Sequence, residues 1–214
     1  MSRVEVRQAT AEDVGEIVDI LSEAARWLLA RGIEQWPDPF PRDRVEALAR
    51  RGEFHVASIG GDTAAVFALL WSDSTFWGER PDDAGYVHAL AVRRAYAGTG
   101  LGERLLEWVE LEVAARGRPY VRLDCRADND ALRRYYERLG FEPRGEVEVD
   151  DFVAMRFERR CRTAARAASP AGGNIVMHSA PTCHGHAQLP AIRSQRERGW
   201  PTDPTQEGGG ALRG

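Results

Sequence analysis

Val92-Arg93-Arg94-Ala95-Tyr96-Ala97-Gly98-Thr99-Gly100-Leu101-Gly102 joins an apolar stretch, Tyr86 to Val92, to a long amphipathic one, Gly100 to Arg116. The first reads as a strand. The second reads as a helix with Leu101, Leu105, Trp108 and Val109 on its buried side. Three glycines at alternate positions, Gly98, Gly100 and Gly102, stand where that helix begins. They permit turn geometry and close approach of a ligand, and the first backbone N–H groups of a helix are bare. Bare amides there attract a diphosphate, and Thr99 adds a hydroxyl donor. Arg93 and Arg94 are close enough in sequence to supply outer charge. A glycine-rich turn with no ligand is the alternative. A dinucleotide fingerprint beginning at Gly98 needs glycine where Glu103 stands, and a nucleoside-triphosphate loop needs a lysine, which this chain lacks. The ligand implied is a diphosphate of another kind.

Around this junction the elements alternate. Val4 to Gln8 reads as a strand. Val14, Ile17, Val18 and Leu21 mark one face of a helix that Thr10 begins and Gly32 ends. Pro41 to Arg51 reads as a short helix. Phe54 to Ile59 and Ala64 to Trp71, joined by Gly60-Gly61-Asp62-Thr63, read as a strand–turn–strand. Tyr120 to Asp124 is a strand, Asn129 to Leu139 a helix closed by Gly140, and the valines around Asp150-Asp151 two closing antiparallel strands. The sum is an α/β fold: a mixed sheet with helices on its faces.

Composition changes near Arg160. Residues 1–160 are expected to form one domain of net charge about −7, within a whole-chain charge of −4. The remainder, 161–214, is rich in proline and glycine and poor in apolar clusters, and is expected to be disordered. Gly173 to Met177 is its one candidate strand. The negative balance argues against a nucleic-acid partner. No apolar window is long enough to span a membrane. Three cysteines without framework spacing, and no apolar signal segment, point to a reducing, cytoplasmic setting.

Two stretches together resemble the GCN5-related N-acetyltransferase (GNAT) family. Ala97-Gly98-Thr99-Gly100-Leu101-Gly102 is similar to that family's Gln/Arg-x-x-Gly-x-Gly/Ala loop, with Ala97 in place of the leading Gln/Arg. Asn129-Asp130-Ala131-Leu132-Arg133-Arg134-Tyr135-Tyr136-Glu137-Arg138-Leu139-Gly140-Phe141 looks like its Asn…Tyr-Glu-x-Leu-Gly-Phe segment, and His88 to Val92 like its cofactor-facing strand. The resemblance covers about residues 3 to 159. It implies a central mixed, mostly antiparallel sheet flanked by helices, and acetyl-CoA as co-substrate. It implies transfer of the acetyl group to a primary amine by direct attack. The acceptor reading leans to a small molecule over a peptide. A non-catalytic acyl-CoA sensor or interaction module is the rival, favoured by Ala97.

The resemblance also implies roles. Two strands part, and the pantetheine arm lies between them along Leu90, Ala91 and Val92. The diphosphate rests on the loop, from Ala97 and Gly98 through Thr99, Gly100, Leu101 and Gly102 to Glu103. Asn129 lies near the arm, and Tyr136 protonates the departing thiolate. Asn129 and Tyr136 are two helical turns apart and can share a face. Tyr136 also belongs to a packing stripe with Leu132, Tyr135 and Leu139, so a core role is open, and Asn129 is also a fitting helix cap.

His88 is the first candidate for the base, being the group that titrates near neutrality. It is placed on the same strand face as Leu90. A hydrogen-bonded structural histidine is the alternative, and Glu34 and Asp124 are weaker candidates for the base. Glu34, Trp36 and Trp71 are candidate acceptor-binding residues, with acid from Asp73, Glu79, Asp82 and Asp83 near the entrance. Cys125 reads as packing. No metal is expected: His178, Cys183, His184 and His186 fit no closed four-ligand site. The chain is expected to be a monomer or homodimer.

Overall fold

The computed structural model describes residues 3–150, 152–162 and 175–177. The elements run β1 (Val4–Gln8), α1 (Val14–Leu29), α2 (Arg42–Arg50), β2 (Phe54–Ile59), β3 (Asp62–Leu70), α3 (Ser74–Trp77), β4 (Ala84–Val92), α4 (Leu101–Ala115), β5 (Tyr120–Arg126), α5 (Asp130–Arg138), β6 (Glu142–Val149), β7 (Phe152–Arg160) and β8 (Ile175–Met177). They match the sequence reading apart from α3, a single turn in Ser74-Thr75-Phe76-Trp77. There the Asp73 carboxylate accepts the Phe76 amide at 3.2 Å and caps the turn.

The strands form one mixed sheet, ordered β6-β7-β5-β4-β3-β2-β1-β8. Every described pair is antiparallel except β4 with β5 and β1 with β8. Of the tail, Ile175–Met177 makes a short strand beside β1, and the metal-like histidines and Cys183 lie outside the described residues.

Alternation along the strands sends side chains to two cores. Ala65, Phe67 and Leu69 of β3 pack with Leu105, Val109 and Val113 of α4 and with Tyr136 of α5. Val66, Ala68 and Leu70 pack with Ile17, Ile20 and Leu21 of α1 and with Val45 and Leu48 of α2. Helices therefore cover both faces, as the apolar content of the central strands requires.

The pairing of β4 with β5 creates the site. It runs from Ala84 with Tyr120 to Val87 with Leu123 and stops there. The paired half is clamped by Arg122, which reaches Glu158 on β7 at 2.7 Å, Asp83 at 2.8 Å and the Tyr86 hydroxyl at 2.9 Å. Beyond Val87 and Leu123 the two strands diverge. β4 carries a bulge here: its register with β3 shifts by one residue between His88 and Ala91, and Ala89 sits at φ 50°. A bulge adds one residue and re-aims the side chains that follow it.

Candidate active site

The parted strands open on a cavity of about 570 Å³ that runs from the glycine loop, past β4, to helices α1 and α2. At one end, Gly98 and Gly100 hold φ of 76° and 79°, backbone angles that L side chains rarely adopt. Gly102 is needed for another reason: a Cβ there would lie 3.0 Å from the Tyr135 hydroxyl. The first helical backbone bond of the loop is from Arg104 to the Gly100 carbonyl, which leaves the preceding amides of α4 free for an anion. Gly98, Gly100, Leu101, Gly102 and Ala97 line the cavity. Thr99 does not: its hydroxyl donates to the Tyr96 carbonyl at 2.7 Å and so ties the turn. Glu103 is exposed, and its contribution is restricted to its amide. Arg93 is committed to Glu16 at 2.7 Å and to the Thr63 carbonyl at 2.9 Å. Arg94 lines the cavity and lies over the Trp27 ring at 4.2 Å.

Along the middle runs the free edge of β4. The Arg93 amide donates to Ala64 on β3 at 2.9 Å. Alternation then turns the amides and carbonyls of Val92 and Leu90 to the other edge, where β5 has departed, and Ala91 back to β3. Val92 and Leu90 thus present unpaired main-chain groups to the cavity, a place for an extended amide-bearing chain.

Tyr136 is buried and lines the cavity. Its ring packs on Phe141 at 5.9 Å and Phe157 at 5.7 Å. Among the described residues its hydroxyl has no hydrogen-bond partner, and burial pushes its pKa upward, so it stays protonated. Packing and exposure to the cavity are therefore both true of it. Tyr135 lines the cavity nearer the glycine loop. Asn129 is buried and caps α5, its side-chain oxygen accepting the Leu132 amide at 3.1 Å; it is not part of the cavity wall.

At the other end His88 and Asp124 face the cavity, and Asp73 stands behind them. The His88 Nε2 lies 3.2 Å from Asp73, and its Nδ1 3.7 Å from Asp124. Burial pushes Asp124 up to about 6, against the pull of His88. Burial alone would lower His88, but Asp73 and then Asp124 outweigh it and raise the imidazole above its ordinary value. Arg44, on the α2 face that also carries Leu48, lines the same end. Burial brings it down to about 10, against the attraction of Asp124 and Asp73. Asp73, His88 and Asp124 offer one ligating atom each within 4.8 Å, enough to hold a metal ion.

The sequence reading placed several residues differently. His88 and Leu90 do not share a face: His88 stays on the side of Ala84 and Tyr86, against Phe76 at 6.0 Å, and the bulge at Ala89 turns Leu90 to the α4 core. Trp71 packs on the α4 side, between Arg116 at 4.2 Å and Arg118 at 5.2 Å, outside the cavity. Glu34 is exposed, and its carbonyl accepts from Arg126 at 3.3 Å; its neighbours Gln35 and Trp36 line the cavity instead. Trp36 stands edge-on to buried Phe40 at 6.2 Å. Asp73 is a buried partner of His88 and not an entrance acid, and Asp83 is held by Arg122. Sequence reasoning missed Arg44 altogether. Cys125 is buried, and burial raises its thiol to about 12, as packing implies.

Residues 16–141 match the family model described as Acetyltransferase (GNAT) family. The chain belongs to the GNAT acetyltransferase family. It is 36% identical over 143 residues to the uncharacterised N-acetyltransferase YesJ of Bacillus subtilis (strain 168), a match covering 63% of this chain and 79% of that one. A GNAT-family acetyltransferase structure from Listeria monocytogenes 4b F2365 superposes with TM-score 0.62 at 27% identity, over 72% of this chain and 93% of that one. The same fold recurs in yncA of Salmonella typhimurium, a putative acetyltransferase solved with its cofactor acetyl-CoA. There the TM-score is 0.56 and the identity 20%, over 85% of this chain and 99% of that one.

Proposed function

We propose that this GNAT protein moves an acetyl group from acetyl-CoA to the primary amine of a small molecule by direct attack in a ternary complex. The observation that carries the reading is the divergence of β4 from β5 beyond Val87 and Leu123, which joins the glycine loop, Tyr136 and the His88–Asp124 pair in one cavity. Acetyl-CoA fits what this chain offers: free amides at the start of α4 for its diphosphate, and the outward main-chain groups of Leu90 and Val92 for its pantetheine amides. Bound there, it supplies the thioester carbonyl.

The residues divide the proton work. Asp124, raised to about 6, is ionised at neutral pH yet more basic than a free carboxylate, so it accepts the amine proton. His88 and Asp124 are 3.7 Å apart, close enough to share an amine N–H or a water. Asp73 holds the imidazole from behind, and the Tyr136 hydroxyl gives its proton to the thiolate as the carbon–sulfur bond breaks. Each group acts where charge develops, and no covalent bond to the protein is needed.

Calorimetry of the full chain with acetyl-CoA, followed by amine-dependent release of free thiol, tests this. Binding with turnover supports it. Binding without turnover of any amine favours the non-catalytic acyl-CoA module, and no binding sinks both.

A further inference from the structure

The acceptor end of the cavity holds one charge with no direct partner. Among the described residues the Arg44 guanidinium makes no hydrogen bond and no ion pair within 4.0 Å; Asp124 and Asp73 act on it only through space. The cavity wall to which it belongs also carries Trp36, Phe40, Leu48 and Phe76. A guanidinium among aromatic and aliphatic walls is a costly arrangement unless an anion completes it. The coenzyme's phosphates are not that anion. Arg44 is coupled to Asp124 and Asp73, at the proton-transfer end, whereas Arg94 is the arginine beside the glycine loop.

Resting on the proposed function, we infer that the acceptor is a small amino acid-like molecule, its amine at His88 and Asp124, its carboxylate on Arg44 and its apolar body against Trp36 and Phe40. A planar guanidinium takes a carboxylate through two parallel hydrogen bonds, so Arg44 fixes the orientation of the acceptor as well as its charge. Asp124 and Asp73 then repel a misoriented carboxylate from the proton-transfer pair, which gives the site a sense of direction.

The test compares matched acceptors in the free-thiol assay with the full chain: phenylalanine against phenethylamine, and leucine against isoamylamine. The wild type is expected to favour the carboxylate-bearing member of each pair by about tenfold or more in kcat/KM, the scale of a charge-assisted bond. In Arg44→Met that ratio falls towards one, chiefly through KM, and Arg44→Lys recovers only part of it. If the wild type turns over the plain amines as well as or better than the amino acids, this inference is overturned while the transferase reading stands. If no amine of either kind releases thiol although acetyl-CoA binds, the transferase reading itself falls, and this inference with it. The wild-type comparison decides the matter even if the Arg44 variants fail to fold.

Discussion

Tyr136→Phe separates chemistry from structure at one atom. The substitution keeps the ring, and with it the contacts to Phe141, Phe157 and Tyr135 at 5.9, 5.7 and 5.5 Å. The hydroxyl has no partner among the described residues, so removing it strands nothing, and stability changes by no more than about 0.5 kcal/mol. On the proposed reading, what is lost is the proton for the departing thiolate. General-acid help of this kind is worth about 100-fold or more, or roughly 3 kcal/mol of barrier. The expected result is a kcat lower by about two orders of magnitude, KM for both substrates changed little, and an unchanged Tm. Burial raises this phenol, so the wild type shows no alkaline fall in rate from its ionisation through pH 9. Steady-state thiol release and a thermal melt measure both sides. Tyr135→Phe is the control: its hydroxyl is against Gly102, so its effect appears in KM for acetyl-CoA more than in kcat. A Tyr136→Phe enzyme with near-normal kcat, or a Tyr135→Phe enzyme carrying the large loss, would refute the assignment.

Other perturbations probe the base, the packing beneath the site and the clamp. With Asp124 raised to about 6, kcat/KM should fall tenfold per pH unit below that value, and Asp124→Asn should remove the limb and most of the rate; a limb that survives the substitution would shift the role to His88. The sign for stability is opposite to that of an ordinary salt-bridged acid: the native carboxyl keeps its proton longer than the unfolded one, so folding loses stability as pH rises from about 4 to 6. A Cβ on Gly85 would collide with a Val113 methyl and sit 3.1 Å from Leu69. Gly85→Ala is expected to cost about 1–3 kcal/mol by overpacking, and Val113→Ala in the same chain to recover part of it in denaturant melts. Arg122→Met leaves Glu158 and Asp83 without their shared cation under the parted strands; the expected loss is about 3–5 kcal/mol, read as a lower unfolding midpoint.

The fold was legible because its signals are local. Alternating apolar residues gave the strands, and the run from Leu101 to Val109 gave α4. The glycines gave the loop, two of them through φ and the third through the nearness of Tyr135. Tyr136 was singled out through resemblance, since periodicity alone makes it a core residue as readily, and the structure shows its ring packed on Tyr135, Phe141 and Phe157 in the cavity wall. The α3 turn escaped because four residues have no period, although Asp73 before Ser74-Thr75-Phe76 is a cap pattern.

The far end of the cavity was legible only residue by residue: His88 and Asp124 stood out in the sequence, but neither their meeting with Arg44 nor the break in alternation at Ala89 did. A strand read by strict alternation puts His88 beside Leu90. The bulge at Ala89, held at φ 50° by a residue that carries no glycine-like mark, reverses that parity. His88 keeps the face of Ala84 and Tyr86, where Asp124, Arg44 and Asp73 converge from β5, α2 and the turn before α3, and Leu90 is turned away from it. None of those three is near His88 in sequence, so no spacing rule could join them. The same reversal leaves Leu90 and Val92 with their backbone groups toward the gap and their side chains on the α4 core. On the proposed reading, one inserted residue lets a single strand serve two substrates, offering main chain to one and a titrating side chain to the other. Deleting Ala89 should for that reason abolish transfer while the paired strands from Ala84 to Val87 remain in register. Retained activity in the deletion variant would mean that the bulge is incidental.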